Sequence, residues 1–347
     1  MSALEAKSNA QKIAFAPIVY HATRALRDLG ILALLMRENK QGMDVPSIAA
    51  ELNLSNYGVA VLLEAGLGAD IVYLDGKRYF LDKTGYFILK DELTRVNMNF
   101  VGDVCYSPMA NLQQAIVDGE PSGLREFGQW NTIYEGLTEL PEQVQKSWFE
   151  FDHFYSDAAF TQVLPIVFKK KPEHIVDVGG NTGKWSNQCL HYDDAVRMTI
   201  IDLPEQVEIV ADSLSAAGYV GRFETKAIDL LEDGDEFPKH ADVIWMSQFL
   251  DCFSEDEVVR ILLRARKGMG PHTSLYILEL FWDLQRFDAA AFSLVNTSLY
   301  FTCIANGNSK MYHSEDLKRC AKEAGLVMVK QTNDIGIGHT LLEYRSD

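Results

Sequence analysis

The spacing of apolar residues predicts alternating strands and helices in the second half of the chain. Runs rich in β-branched residues, of the kind found in strands buried on both faces, lie at 175–178, 198–201 and 242–246. Further strands are predicted at 222–226, at 274–278, near Val327 and near Leu341. Helical spacing is found at 184–190, 205–217, 255–267 and 314–324, and around Phe292. This regular alternation predicts an α/β fold with a doubly wound, mainly parallel, seven-stranded sheet.

The first hundred residues have a different pattern. Apolar residues recur at helical spacing over 10–37, which predicts one or two helices, with Pro17 near a start and Gly30 near a break. The segment 44–66 predicts two short helices joined by a turn, and the pair of apolar runs on either side of Asp75–Gly76 predicts a hairpin. The pattern then predicts a helix from Leu93 to Ala115. Together these elements predict a mostly helical domain of the winged-helix type.

Length and composition fit a protein of two domains. With 347 residues and 47% hydrophobic content, the chain is long enough for a sizeable core. We expect a winged-helix domain over 1–104, a helical connector over 105–160 and the α/β domain over 161–347. The sequence has no apolar run of membrane-spanning length and no signal-peptide pattern at its start, and we interpret it as cytoplasmic. Its five scattered cysteines form no pair typical of a zinc site or a disulfide framework.

The net charge of −17 argues against nucleic acid or an anionic membrane as a partner, because both attract basic surfaces. The helix-turn-helix pattern alone suggests a DNA-binding regulator. However, the segment between Gln41 and Gly76 contains no lysine or arginine and five acidic residues. It lacks the cations that dominate affinity for DNA.

The strand at 175–178 is followed by a glycine-rich turn, with Asp177, Gly179 and Gly183 in the pattern acidic-x-Gly-x-x-x-Gly. This spacing differs from the G-x-G-x-x-G of dinucleotide sites, which disfavours a nicotinamide oxidoreductase. A carboxylate beside the turn repels phosphate but suits a ligand with an amino group or a sulfonium. The next strand ends at Asp202, where an acidic residue hydrogen-bonds ribose hydroxyls in such folds.

The ordered set of motifs resembles the caffeic-acid and hydroxyindole type of small-molecule O-methyltransferase, which uses S-adenosylmethionine (SAM). The resemblance is carried by segments 176–183, 202–204, 226–231, 250–256, 306–310 and 314–325. It implies a Rossmann-like SAM-binding domain, a winged-helix domain that pairs two subunits, no metal, and S-adenosylhomocysteine as product. It places the amino-acid end of the cofactor at Asp177 and Gly179, the ribose at Asp202, and the adenine at Asp229 and Leu230. The further candidates for cofactor binding are Gly183, Leu203, Met246 and Ser247.

The catalytic base is where the chain departs from this family. The plant pattern is L-H-D-W-S-D-E, and the matching residues here run from Leu250 to Asp256, with Asp251 at the histidine position. Met311 stands where an orienting acid is expected, and Glu279 matches a supporting acid. Asp251 is our hypothesis for the base, with a pKa raised by burial. Two alternatives stay open: an acceptor that ionises unaided, and methylation of carbon or loss of catalysis.

Several residues are candidates for the acceptor pocket. Phe154 and Tyr155 lie in an aromatic segment just before the α/β domain, and Phe292, Asn296 and Tyr300 are spaced for one face of a helix, a pattern that a core stripe shares. The other candidates are Gln248, Phe249 and Met311. The sequence therefore predicts a homodimeric, metal-independent SAM-dependent methyltransferase, with Asp251 and Glu279 as catalytic residues, acting on a hydroxyl of an aromatic or polyketide-like small molecule. A carbon-methylating or catalytically silent relative and a SAM-sensing winged-helix regulator are the alternatives.

Overall fold

The computed structural model describes residues 1–232 and 237–347, which form two compact units, Met1–Val101 and Gly102–Asp347. The N-terminal unit is mostly helical, with one antiparallel hairpin, as the sequence predicts. Its elements are α1 (Ala3–Asp28), α2 (Ile31–Arg37), α3 (Val45–Leu52), α4 (Asn56–Gly68), β1 (Val72–Asp75), β2 (Arg78–Leu81), α5 (Lys83–Lys90) and α6 (Glu92–Asn99).

The first helix begins earlier than its apolar spacing predicts. Ser2 and Glu5 form a capping box that satisfies the free amides of its first turn. The expectation that Pro17 lies near a helix start is wrong, because α1 continues on both sides of this residue. The expected break at Gly30 is confirmed: its φ of 83° is left-handed, and it caps α2.

The continuous helix predicted over Leu93–Ala115 is also wrong. After α6 the chain forms a π-helix at Phe100–Cys105 and a 3₁₀ turn at Pro108–Asn111, and only then α7 (Leu112–Asp118). Pro108 has no amide hydrogen to continue the helical ladder, so the direction of the chain changes there.

The second unit is built on the predicted seven-stranded sheet, in the order β5-β4-β3-β6-β7-β9-β8. The five strands β3 to β7 are parallel to one another, and β9 is antiparallel to both β7 and β8. The strands are β3 (His174–Val178), β4 (Arg197–Asp202), β5 (Phe223–Ala227), β6 (Val243–Ser247), β7 (Ser274–Glu279), β8 (Leu326–Ile335) and β9 (His339–Ser346). The further helices are α8 (Glu142–Val167), α9 (Lys184–Tyr192), α10 (Pro204–Ala216), α11 (Glu255–Gly268), α12 (Asp288–Tyr300) and α13 (Ser314–Glu323).

The central strands of this sheet are covered on both faces, which explains why β3, β6 and β7 are apolar at most positions. Along β6, Ile244 and Met246 belong to one hydrophobic cluster, and Val243 and Trp245 belong to the other. On the second face, Trp185 of α9 stacks on Trp245, with ring centroids 4.1 Å apart. Each such side chain contributes about 1.5–3 kcal/mol through burial, so the central strands are held firmly in place.

Within the described parts of the chain, no helix is both long and apolar enough to cross a bilayer. The same residues contain no cluster of three or more histidine, cysteine, aspartate or glutamate side chains arranged to hold a metal ion.

Candidate active site

The parallel sheet brings three connections together at its carboxyl edge. Val178 of β3 pairs with Ile201 of β4 on one side and with Met246 of β6 on the other. The residues that follow these strands therefore lie side by side, which is the usual ligand position in such sheets. Gly179, Asp202 and Ser247, which the sequence places in one cofactor site, thus meet at this edge.

The turn after β3 requires glycine for two reasons. Gly179 has a φ of +71°, and a β-carbon there would lie 2.3 Å from Cδ2 of Phe249. At Gly180, a β-carbon would lie 2.4 Å from the side chain of Ile200. Gly183 has a φ of +76° and begins α9. The close approach leaves bare backbone, against which a ligand can rest.

Asp202 is held firmly but keeps room to accept further hydrogen bonds. Its Oδ2 accepts from the amide of Asn181 at 2.9 Å, and its Oδ1 accepts from the amide of Leu203 at 2.8 Å. Each carboxylate oxygen has a second lone pair. Burial raises the pKa of Asp202. The half-buried carboxyl therefore fits the ribose-binding role that the resemblance implies.

Asp177 lies beneath the turn. Only 3% of it is exposed, and its Oδ2 accepts a hydrogen bond from the Ser186 hydroxyl at 2.6 Å. Burial raises its pKa to about 7. This geometry ties α9 to β3 under the glycine turn, so Asp177 supports the turn from below.

The remaining cofactor candidates differ in their surroundings. Ser247 has a buried hydroxyl oxygen with no hydrogen-bond partner among the described residues, so this polar atom is available to a ligand. The side chains of Met246 and Leu230 are buried in the core. Asp229 is exposed, and its Oδ1 accepts from the amide of Leu231 at 2.8 Å.

Asp251 lies in a 3₁₀ turn, Leu250–Cys252, shortly after β6. It is only 7% exposed, and Cys252 Sγ donates to its Oδ1 at 3.6 Å. Burial raises the pKa of Asp251 to about 6. A carboxylate with a pKa near 6 accepts a proton at neutral pH more readily than an ordinary aspartate does.

Glu279 holds this turn from below. Its Oε1 accepts from the amides of Phe249 and Leu250 at 3.0 and 2.9 Å, while its Oε2 is buried without a partner among the described atoms. Burial and the nearby charge of Asp251 raise the pKa of Glu279 well above its ordinary value. Because the two carboxyls interact, ionisation of one disfavours ionisation of the other.

The structure adds a carboxyl that the sequence reasoning missed. Asp152 of α8 accepts a hydrogen bond from Nδ2 of Asn181, in the glycine turn, at 2.9 Å. Burial, followed by the negative charge of Asp251, raises the pKa of Asp152 to about 7. The sequence does contain a sign of this role: Asp152 is an acidic residue within an aromatic helical segment, and an amphipathic pattern does not account for it.

Aromatic hydroxyls complete this region. Trp148 Nε1 donates to the Tyr300 hydroxyl at 2.7 Å, and Tyr300 is buried. Burial, together with Cys252 and Asp251, raises the pKa of Tyr134. Tyr134, which the sequence reasoning also missed, lies in the 3₁₀ turn Ile133–Gly136.

The other acceptor candidates fall into two groups. Tyr155 and Met311 are buried, Phe154 is half-buried, and Phe249 contacts both Gly179 and the ring of Phe253. By contrast, Phe292 is 71% exposed, and Asn296 is also exposed, with its Nδ2 donating to the Phe292 carbonyl at 2.7 Å. In the single chain, Tyr300 therefore lies on the buried side of α12, while Phe292 and Asn296 lie on its exposed side, because a spacing of four drifts around the helix. A shared pocket-facing stripe of these three residues stays a prediction.

Comparison with known proteins identifies the class. Residues 127–327 match the model of the O-methyltransferase domain, and residues 7–79 match the Dimerisation2-like domain. The L-tyrosine C(3)-methyltransferase of Streptomyces lavendulae is 23% identical over 261 residues, which cover 74% of this chain and 70% of that protein.

Solved structures have the same fold. The apo SAM-dependent methyltransferase SibL matches with a TM-score of 0.74 at 19% identity, over 98% of this chain and 99% of that one. The O-methyltransferase NcsB1 from neocarzinostatin biosynthesis, in complex with SAM and 2-hydroxy-5-methyl naphthoic acid, matches with a TM-score of 0.67 at 17% identity, over 94% and 96%.

This chain belongs to the O-methyltransferase domain family. It is a SAM-dependent methyltransferase with a dimerisation-type N-terminal domain, as the sequence predicts.

Proposed function

We propose that the chain transfers the methyl group of SAM to a hydroxyl of an aromatic small molecule, with Asp251 as the general base. The observation that carries this proposal is the pair of buried carboxyls, Asp251 and Glu279, next to the glycine turn. The naphthoic acid held by NcsB1 supports an aromatic acceptor.

The residues at the carboxyl edge fit the cofactor. Asp202 is suited to bind the ribose hydroxyls, and the backbone at Gly179, with the unpartnered Ser247 hydroxyl, is suited to bind the amino-acid end. Asp229 and Leu230 are assigned to the adenine. When bound, SAM supplies an electrophilic methyl group on a sulfonium, with no need for a metal.

The role of Asp251 follows from the chemistry of a phenol. A phenol with a pKa of about 10 is a weak nucleophile at neutral pH, and a positioned base adds about a hundredfold or more to the rate. The phenolic proton passes to the ionised Asp251 carboxylate, the phenolate oxygen forms a bond to the methyl carbon, and the carbon–sulfur bond breaks. The raised pKa of Glu279, caused by burial and by the charge of Asp251, favours its neutral form and so limits the negative charge near the forming phenolate.

The acceptor pocket is assigned to residues from the 105–160 segment and from the loops after β6 and β7. Tyr134, Asp152, Phe154 and Tyr155 form its helical side, and Gln248, Phe249, Tyr300 and Met311 form the other. We further propose that the chain acts as a cytoplasmic homodimer through its N-terminal domain, a role supported by the match to the Dimerisation2-like domain.

The test is a single-turnover assay with methyl-labelled SAM and a panel of phenols and aromatic hydroxy acids. With the acceptor so found, Asp251→Asn is expected to slow methyl transfer by about a hundredfold. The matched control is Asp256→Asn, an exposed acid in the first turn of α11. An unchanged rate in Asp251→Asn would rule out Asp251 as the base.

Methylation at carbon is the second candidate function, favoured by one relative, the L-tyrosine C(3)-methyltransferase. The same base would form the phenolate, a ring carbon next to the oxygen would then bond to the methyl group, and the proton on that carbon would leave to restore the aromatic ring. The carbon-13 NMR shift of the transferred methyl group separates the two outcomes.

A further inference from the structure

The segment 248–252, here called the catalytic turn, begins with a residue of unusual backbone conformation. Gln248 follows β6 and has a φ of 46°, in the left-handed region that costs a non-glycine residue conformational free energy. Such a conformation persists only where its surroundings hold it. It decides the direction in which the chain leaves the sheet, and therefore where Asp251 lies.

Two contacts hold Gln248. Its amide donates to the carbonyl of Leu278 at 2.9 Å, which extends the ladder between β6 and β7. Its side-chain Oε1 lies 2.9 Å from Nε2 of His339, the first residue of β9. An amide oxygen only accepts hydrogen bonds, so the imidazole donates from Nε2.

His339 is completely buried, and burial lowers its pKa to about 4, so it is neutral at physiological pH. Glu279 pairs with Thr340, the residue that follows His339, between β7 and β9. Glu279 in turn accepts from the two amides that follow Gln248. Gln248, Phe249 and Leu250 are thus each hydrogen-bonded to a buried side chain of β7 or β9.

The hairpin before His339 also reaches α8. The amide of Gly336 lies 3.2 Å from Oε1 of Gln162, and a β-carbon at Gly336 would lie 3.0 Å from Ala159. The same short loop therefore contacts the helix that carries the acceptor candidates and positions the residue that holds the catalytic turn.

We propose that His339 is a positioning residue for the catalytic turn: through its hydrogen bond to Gln248 it fixes the left-handed residue that aims Asp251. The part of this inference that concerns catalysis rests on the proposed role of Asp251. The part that concerns the turn stands on the contacts of Gln248 alone.

The test is a double-mutant cycle with Gln248→Gly. Glycine adopts the left-handed conformation without strain, so the backbone no longer needs the histidine. His339→Ala is expected to lower kcat about tenfold or more in the wild-type background. In the Gln248→Gly background, the same substitution is expected to change kcat by less than about twofold.

A second readout requires no acceptor. Cys252 is the half-buried one among five free cysteines, and the other four are buried. His339→Ala is expected to increase severalfold the rate at which a thiol reagent modifies Cys252, as measured by peptide mass spectrometry. His339→Gln, whose amide can still donate to Gln248, is expected to restore both the slow modification rate and most of kcat.

Equal losses of kcat in both backgrounds, or no rescue by His339→Gln, would overturn the proposal and leave His339 a residue of the core only. Thermal unfolding of each variant identifies a general loss of folding. If Asp251→Asn leaves methyl transfer unchanged while the Cys252 readout behaves as expected, the base assignment fails and the positioning of the turn stands.

Discussion

Phe249 covers Gly179: a β-carbon at residue 179 would come within 2.3 Å of Cδ2 of the phenylalanine ring. The glycine turn of the cofactor site and the turn that carries Asp251 are therefore in direct contact. Any change in one of these two turns is transmitted to the other through this ring.

Gly179→Ala is expected to weaken binding of S-adenosylhomocysteine by about tenfold or more, because the turn must shift away from the ring and the backbone strain alone costs about 1 kcal/mol. Isothermal titration calorimetry measures the change. Gly218→Ala is the matched control, since Gly218 is also left-handed, with a φ of +89°, but has no atom within 4 Å of the added carbon. Equal weakening of S-adenosylhomocysteine binding in both variants would contradict the role of crowding against Phe249.

Asp202→Asn is expected to weaken binding of S-adenosylhomocysteine and of 5′-methylthioadenosine by the same factor, about tenfold, because a charged acceptor to the ribose is lost in both complexes. The two ligands share the nucleoside and differ in the amino-acid end. A loss confined to S-adenosylhomocysteine would move Asp202 from the ribose to the amino-acid end.

The rate of methyl transfer is expected to rise with pH through about 6, the pKa of Asp251, and then to level off. The reason is that only the ionised carboxylate accepts the phenolic proton. Single-turnover rates across this range, measured with an acceptor whose own pKa lies well above it, give the profile. A rise centred near 10 instead would mean that the acceptor ionises unaided.

Asp177 is expected to make the protein less stable as pH rises. Its folded-state pKa is raised to about 7, so the folded protein binds this proton more tightly than the unfolded chain does. The stability linked to this proton is fully present below the unfolded value near 4 and is lost as pH rises through about 7.

Asp177→Asn is therefore expected to raise the free energy of unfolding of the cofactor-free protein by about 1–3 kcal/mol at about pH 8, with little effect near pH 4. Urea unfolding at both pH values measures it. Asp212→Asn, at an exposed position on α10, serves as the control. A destabilised variant at the higher pH would show that the ionised carboxylate is needed beneath the turn.

The N-terminal helix exposes apolar side chains, with Ile13 75% and Ile18 64% accessible in the single chain. Replacing both with glutamate is expected to convert a dimer into a monomer in sedimentation experiments, because charges are costly to bury at an interface. Val220→Glu, at an exposed apolar residue of the second unit, is the control. A dimer that survives the double substitution would place the interface elsewhere.

The sequence predicted which residues meet at the carboxyl edge of the sheet because the order of the strands decides the geometry there. Once β3, β4 and β6 are adjacent and parallel, Gly179, Asp202 and Ser247 must meet, and local patterns predict all three strands. Asp152, Tyr134 and His339 lie far from Asp251 in the chain, and their roles depend on packing that no local pattern records.

The exposure of Phe292 and Asn296 in the single chain has a similar origin. Periodicity indicates that residues share roughly one side of a helix, but not which side faces the site. The expected start at Pro17 failed because α1 begins at the capping box of Ser2 and continues through the internal proline.

The stacked pair Trp185 and Trp245 has a practical consequence. One indole lies at the start of the helix that follows the glycine turn, and the other lies on the strand that leads to Gln248. A ligand that displaces either turn is therefore expected to alter the packing of these two indoles, and intrinsic fluorescence is expected to report occupancy of the site without a label.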